Sequence, residues 1–262
     1  MNGDASRAAG ARASYDGEAV AALATQLGAP AVHAYGEVGS TMDLAHAAAA
    51  NGAAAGTVIV ADVQTAGRGR NGRRWLSDAE AGVWATVVER PRDVTSLSVL
   101  SLRVGLALAA ELERLLSRGT TLKWPNDVQL EGRKLAGVLV EARWRDGAPE
   151  WAAIGVGVNR KPPAELPDAI GTGDALRRSA LLGAVVQAVR TASTATGLLT
   201  DAEIAAWDAR DVVRGRVVVS PVRGAADGVN AAGELLIRTS DGAVRAVPTA
   251  TVQYAELATT RE

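Results

Sequence analysis

An α+β fold with a mixed, largely antiparallel sheet is the class this 262-residue chain predicts. Three observations carry it. Strand-like and helix-like stretches are intermixed without the regular strand-helix-strand rhythm of a doubly wound sheet. Four strand candidates, "TLKW", "DVQL", "RKLAGVLVEARW" and "WAAIGVGV", follow one another between residues 121 and 158 with no helical stretch between them. From Arg214 onward the texture changes to short strands separated by Gly, Asp and Asn turns, which predicts a small β-barrel of its own.

In chain order, "MNGDASRAAGARASYDGE" reads as a frayed tail, and residues 1–30 are assigned to a flexible N-terminal segment. In "EVGSTMDLAHAAAANG", Ser40 caps a helix with Asp43 in a capping-box arrangement, and Asn51-Gly52 stops it. The β-branched run "GTVIVADV" (56–63) predicts a buried strand, and "GVWATVVE" (82–89) the next one. A long helix is expected over 96–117, and two more over 174–194 and 200–211, the last capped by Thr200 with Glu203. "GRVVVSPV", "GELLIRTS" and "AVRAVPTA" are the strands of the small terminal unit. The expected domains are therefore 31–213 and 214–262.

Composition narrows the function. A net charge of −1 argues against general affinity for nucleic acid or acidic membranes, so any anion site has to be a local cluster. With no cysteine and only two histidines, His33 and His46, thiol chemistry is excluded and a His-rich metal centre is unexpected. No apolar run approaches the ~20 residues of a membrane span, and the N-terminus lacks the apolar core of a secretory signal, so a cytoplasmic location is expected.

The most informative stretch is "VQTAGRGRNGRRW" (63–75). Gly67, Gly69 and Gly72 fit G-x-G-x-x-G, and a strand precedes them, but "RRWLSDAEAGVW" is a poor helix start and arginines crowd the backbone that a dinucleotide would approach. A solvated hairpin loop is the plain alternative. A site for a phosphate-bearing ligand is the third, because Arg68, Arg70, Arg73 and Arg74 repel one another unless an anion neutralises them. Downstream, "KWPNDVQLEGRKLAGVLVE" holds Lys123, Asn126, Asp127 and Lys134. Lys123 and Lys134 are two of only three lysines in a chain otherwise supplied with arginine, which points to a chemical need and is equally compatible with ordinary surface positions.

Together, "GSTMD", "QTAGRGRNGRRW", "KWPNDV", "KLAGVLVE" and "IGVGVN" resemble the biotin protein ligase family in order and spacing, over residues 38 to 160. The resemblance implies a class II synthetase-like, biotin–lipoate ligase fold followed by an SH3-like domain. It also implies an ATP-dependent, AMP-forming reaction: biotin's carboxylate attacks the α-phosphorus of ATP to give biotinyl-5′-AMP, and a lysine of a biotin carboxyl carrier protein then takes the biotinyl group. Neither step needs a side-chain nucleophile, so positioning and charge neutralisation carry the catalysis.

By the same resemblance, Ser40, Thr41, Gln64, Arg68, Gly69, Arg70, Lys134, Gly137 and Gly155 are expected to hold biotin, with Gly157 keeping room beside them. Close packing of strands is the other reading of those glycines. Arg70, Arg73, Trp75, Lys123, Asn126 and Asn159 are expected at ATP, with core packing the other reading of Trp75. Arg68, Arg70, Lys134 and Asp127 are the catalytic set, Asp127 orienting or deprotonating the carrier lysine. Mg²⁺ is expected mainly through ATP, with Asn126 its candidate protein contact. Two departures stand out. Met42 replaces the family's usual Asn after Ser-Thr, and about 35 residues without a helix pair precede the first motif, so DNA binding is not expected. Lipoate ligation and non-catalytic biotin sensing are the alternatives.

Overall fold

A computed structural model describes residues 10–91, 93–162, 165–248 and 253–254. The chain begins with short strands β1 (Ala11–Arg12), β2 (Ser14–Tyr15) and β3 (Glu18–Ala19), then helix α1 (Val20–Leu27) and strand β4 (Val32–Val38). Helix α2 (Thr41–Ala50) leads to β5 (Val58–Gln64), the arginine loop and β6 (Gly82–Glu89). Helices α3 (Val94–Leu97) and α4 (Leu100–Leu116) follow, then β7 (Thr121–Lys123), β8 (Asp127–Leu130), β9 (Arg133–Arg145) and β10 (Ala148–Asn159). Helices α5 (Arg178–Thr194) and α6 (Asp201–Asp208) precede β11 (Val217–Ser220), β12 (Gly224–Val229), β13 (Leu235–Arg238), β14 (Val244–Val247) and β15 (Gln253–Tyr254).

The central sheet has eight strands in the order β1-β4-β5-β6-β10-β9-β8-β7. Every neighbouring pair is antiparallel except β4 with β5, so the expected mixed, largely antiparallel sheet is what the chain forms. Strand alternation then sorts residues to two faces. Val58, Val60, Val83, Ala85, Val87, Ile154, Val156, Ala136 and Val138 join the large apolar cluster with α4 and α5. Their neighbours in sequence, Ile59, Ala61, Val88 and Ala153, meet Met42, Ala45 and Ala49 of α2 on the opposite face. Further along that second face the strands carry Thr86, Gly155, Gly157 and Gly137, and there the sheet is left open for a cleft.

Two buried arginines tie elements together. Arg103, inside α4, donates from Nε to Glu203 Oε1 at 2.7 Å and from its terminal nitrogens to the carbonyls of Gly197 and Leu198 at 2.9 and 2.7 Å. Arg178 donates to Asp62 Oδ1 at 2.7 Å and lies 4.8 Å above the ring of Tyr15.

That second anchor corrects the N-terminal expectation. Within the segment 1–30 read as flexible, residues 10–27 are folded: β1 pairs with β4, Tyr15 is 3 % exposed, and Asp16 Oδ2 accepts from Ser179 N at 3.0 Å. Residues 1–9 lie outside the described residues. The long helix expected over 96–117 is divided at Ser98–Val99 into α3 and α4, and the two later helices are shorter than expected. The capping box of Thr200 and Glu203 forms. The one expected at Ser40 does not: Ser40 Oγ accepts from Met42 N, while Asp43 turns away to an arginine.

The terminal strands form a separate five-stranded antiparallel sheet, order β14-β13-β12-β11-β15. It sits beside β7. Leu122 N donates to Arg210 O at 2.8 Å, Val212 N returns a bond to Leu122 O at 3.0 Å, and Trp124 Nε1 reaches Gly233 O at 3.0 Å. The Trp124-Pro125-Asn126-Asp127 turn is thus braced from the small sheet.

Candidate functional site

The open part of the α2 face holds a cavity of about 490 Å³. Every residue expected at biotin, at ATP or in the catalytic set lines it: Ser40, Thr41, Gln64, Arg68, Gly69, Arg70, Arg73, Trp75, Lys123, Asn126, Asp127, Lys134, Gly137, Gly155 and Asn159, with Gly157 beside them. Met42, Thr86, Leu139 and Tyr254 are also part of the wall.

Register explains why residues so far apart meet. Across the sheet, Trp84 pairs with Gly157, Gly157 with Gly137, Gly137 with Asp127, and Asp127 with Lys123. One row of the sheet therefore runs from an aromatic wall, over two glycines, to an acid and a base. The glycines form a trough. A Cβ on Gly157 would lie 2.4 Å from Trp75 Cε2, and one on Gly155 would lie 2.7 Å from Met42 Cε. The space above these glycines is therefore taken by the side chains of Trp75 and Met42, which a Cβ at either position would displace. The Trp75 indole stands edge-on to Trp84, and its buried Nε1 has no hydrogen-bond partner among the described residues.

At one end of the cavity the groups are uncharged. Thr41 donates from N and Oγ1 to Gln64 Oε1 at 2.8 and 3.0 Å, Thr41 Oγ1 is 2.9 Å from Thr86 Oγ1, and Gln64 Nε2 donates to Ser77 Oγ at 2.9 Å. These bonds fix which way the Gln64 amide faces. Thr86 and Ser77 were not foreseen, because nothing in their own neighbourhood marks them; β5–β6 pairing and the return of the loop bring them in.

At the other end the groups are charged. Lys134 Nζ is 2.7 Å from Asp127 Oδ1, an ion pair off the line of a hydrogen bond, and 4.9 Å from the Trp75 ring. Asn126 Nδ2 donates to Val138 O at 2.7 Å, which pins the side chain by its nitrogen. Asn159, 4 % exposed, donates to Lys134 O at 3.3 Å and so braces the base of β9. Lys123 Nζ lies 6.0 Å from the ring of Tyr254, a contribution from the small sheet. Among the described residues, no group of three or more His, Asp or Glu is arranged to hold a metal.

The arginine loop is a small hairpin. Gly69 N donates to Arg73 O at 2.7 Å and Trp75 N donates to Gly67 O at 2.8 Å, so the backbones of Arg68 and Arg74 pair antiparallel between them. Asn71 (φ 57°) and Gly72 (φ 71°) make its tip in the left-handed region. Burial lowers the pKa of Arg70, and the charge of Asp127 opposes that shift.

The expectation that only a ligand would neutralise these arginines fails for Arg68. Its Nε and one terminal nitrogen donate to Glu141 at 2.9 and 3.1 Å, and its other terminal nitrogen donates to Asp43 at 2.7 Å. The hydrogen bonds to Glu141 raise the Arg68 pKa, and the same bonds hold the Glu141 carboxyl below the ordinary carboxylate range. Neither acid was foreseen as a partner, since each is remote from Arg68 in sequence.

A glycine-floored cleft on the helix-α2 face of a mixed sheet, with a small five-stranded sheet behind its edge, is the architecture of the biotin and lipoate ligase fold class. Residues 38–159 match the biotin/lipoate A/B protein ligase family, and this stretch is a domain of that family. The chain is similar to the bifunctional ligase/repressor BirA of Bacillus subtilis, 37 % identical over 49 % of this chain and 40 % of that protein. It is also similar to the biotin–[acetyl-CoA-carboxylase] ligase of Mycobacterium tuberculosis, 41 % identical over 51 % of this chain and 51 % of that one. The chain thus spans about half the length, or less, of these curated relatives. Among solved structures, the biotin protein ligase of Aquifex aeolicus in complex with biotin and ATP aligns with a TM-score of 0.70 at 25 % identity, over 86 % of this chain and 99 % of that one. The Leishmania major biotin protein ligase in complex with biotinyl-5-AMP aligns at 0.57 and 26 %, over 83 % and 98 %.

Proposed function

We propose that the protein is a biotin protein ligase that activates biotin with ATP to biotinyl-5′-AMP and transfers the biotinyl group to a lysine of a biotin carboxyl carrier protein. The observation that carries this reading is the polarity of the cleft: an uncharged hydrogen-bonding end at Ser40, Thr41 and Gln64 joins a cationic end at Arg70, Arg73, Lys123 and Lys134. A neutral ureido ring with a carboxylate arm matches that gradient. Lipoate, whose dithiolane ring offers no amide, matches its first half poorly.

In the first step a biotin carboxylate oxygen bonds to the α-phosphorus, and the bond from that phosphorus to the bridging oxygen breaks as pyrophosphate leaves. The two anions repel. Arg70, Arg73 and Lys134 offset that repulsion as charge-assisted donors placed before the reaction. An arriving phosphate gives Lys134 a second anionic partner besides Asp127. Asp127 is then released from full pairing and is available to the second step, in which the carrier lysine's amine bonds to the acyl carbon, AMP leaves, and Asp127 orients the amine and takes its proton late. Mg²⁺ would be carried by the nucleotide and would screen its phosphates, with Asn126 the candidate protein contact. Trp75 covers the nucleotide side of the trough, and Asn159 acts by bracing the Lys134 backbone.

Pyrophosphate release tests this directly. The protein with ATP and Mg²⁺ should release pyrophosphate when biotin is added and not when lipoate is added. Release driven by lipoate would make it a lipoate ligase, and tight biotin binding without release would make it a sensor.

A further inference from the structure

One motif glutamate, the last residue of "KLAGVLVE", has no part in the chemistry above, yet the structure gives it an unusually complete set of partners. Alternation along β9 puts Glu141 on the same face as Gly137 and Leu139, outside the cleft lining, in a neighbouring hollow with His46 and Trp151. Its Oε1 accepts from Arg68 Nε at 2.9 Å, and its Oε2 accepts from the second Arg68 nitrogen at 3.1 Å. This paired geometry sets the plane of a guanidinium as well as its position. Oε2 also lies 3.0 Å from His46 Nε2.

The histidine is itself aimed. Trp151 Nε1 is 2.9 Å from His46 Nδ1, and an indole N–H only donates. Nδ1 is therefore the acceptor, and the imidazole proton sits on Nε2, where it is donated to Glu141. Trp151 is 6 % exposed and packed in the apolar cluster of the α2 face, so the chain starts from a fixed point. It runs from Trp151 on β10 through His46 on α2 and Glu141 on β9 to Arg68 in the loop. Asp43, one helical turn before His46, closes it on the far side of the guanidinium. Three of the five Arg68 N–H groups are thereby used, and two remain on a residue that lines the cleft.

We propose that Glu141 is a positioning residue for adenylation: braced by His46 and Trp151, it fixes the plane in which Arg68 presents its remaining donors to the reacting carboxylate and phosphate. This rests on reading the cleft as the adenylating site. A misaligned donor at developing charge is felt in the turnover step, and displacements near 1 Å cost on the order of 10²-fold.

The test compares the full-length protein with Glu141→Gln, Arg68→Ala and the double variant. Biotin-dependent pyrophosphate release and transfer from preformed biotinyl-AMP are both measured. Glu141→Gln should lower kcat for pyrophosphate release roughly 10- to 100-fold, leave the KM values for biotin and ATP within about twofold, and leave transfer nearly unchanged. In the Arg68→Ala background the glutamine should cost little more, because both residues act as one unit. Should Glu141→Gln fail to fold, His46→Ala, which removes only the brace, should lower kcat in the same direction by a smaller factor. Parental kcat in these variants, equal losses in both steps, or an undiminished loss in the Arg68→Ala background would each overturn the proposal. A parent that releases no pyrophosphate with biotin would overturn the ligase reading as well.

Discussion

Lys134 Nζ and Asp127 Oδ1 stand 2.7 Å apart across the β8–β9 pair, on the wall of one cleft. An acid and a base assigned to different steps of a reaction thus hold each other before either step begins. On this account the first step's anion loosens the pair, and the second step's amine uses the acid that has been loosened.

Lys134→Ala should leave the fold intact, since the side chain is 36 % exposed and contributes little to a core. It should slow adenylation on the order of 10²–10³-fold, by analogy with loss of an oxyanion donor. Single-turnover formation of biotinyl-AMP is the measurement, and an unchanged rate would remove Lys134 from the chemistry.

Asp127→Asn should affect transfer more than activation. The amide keeps the size but cannot take the amine's proton. Preformed biotinyl-AMP mixed with carrier protein isolates that step, and equal rates for parent and variant would reduce Asp127 to a turn residue.

Trypsin should distinguish the loop with and without ligand. Residues 71–74, the hairpin tip and its outgoing strand, are exposed, so cleavage after Arg73 and Arg74 should be fast in the protein alone. Biotin with ATP should suppress it as the arginines engage phosphate and the loop closes over the adenylate. Identical cleavage in both conditions, mapped by mass spectrometry, would mean that the loop is no ligand-ordered lid.

Glu89 sets a pH dependence unrelated to catalysis. Burial raises its pKa to about 7, opposed by the charge of Arg190. The folded state therefore holds this proton more tightly than the unfolded chain, and stability falls as pH rises from the ordinary carboxylate range through about 7. Glu89→Gln removes the linkage. Its stability advantage over the parent in urea unfolding should be small at pH 5 and grow to on the order of 2 kcal/mol by pH 8, discounted for the carboxyl's remaining contact with water. A pH-independent difference would contradict this assignment.

Much of the site was legible because its chemistry demands rare local patterns. Glycines interleaved with arginines, and lysines in a chain that otherwise uses arginine, mark themselves without knowledge of partners. What could not be read lies in long-range pairing. Glu141 meets Arg68 from 73 positions away and His46 from 95, joined only by the strand order of the sheet. Asp43 looked like a helix cap, and its carboxylate found a guanidinium instead. The N-terminal segment was misread because two-residue strands and an eight-residue Ala-rich helix carry too little periodicity to register. Its order comes from Arg178 over Tyr15 and Ser179 N on Asp16, both more than 160 positions downstream.

The central claim is that one cleft first activates biotin and then hands it to a protein lysine. The most direct measurement is the intact mass of a biotin carboxyl carrier domain incubated with the protein, ATP, Mg²⁺ and biotin. A single biotinyl adduct on one lysine, dependent on ATP and not replaced by a lipoyl adduct when lipoate is supplied, is the predicted result. An unmodified carrier in the presence of accumulating biotinyl-AMP, or a lipoyl adduct in place of the biotinyl one, would contradict the account.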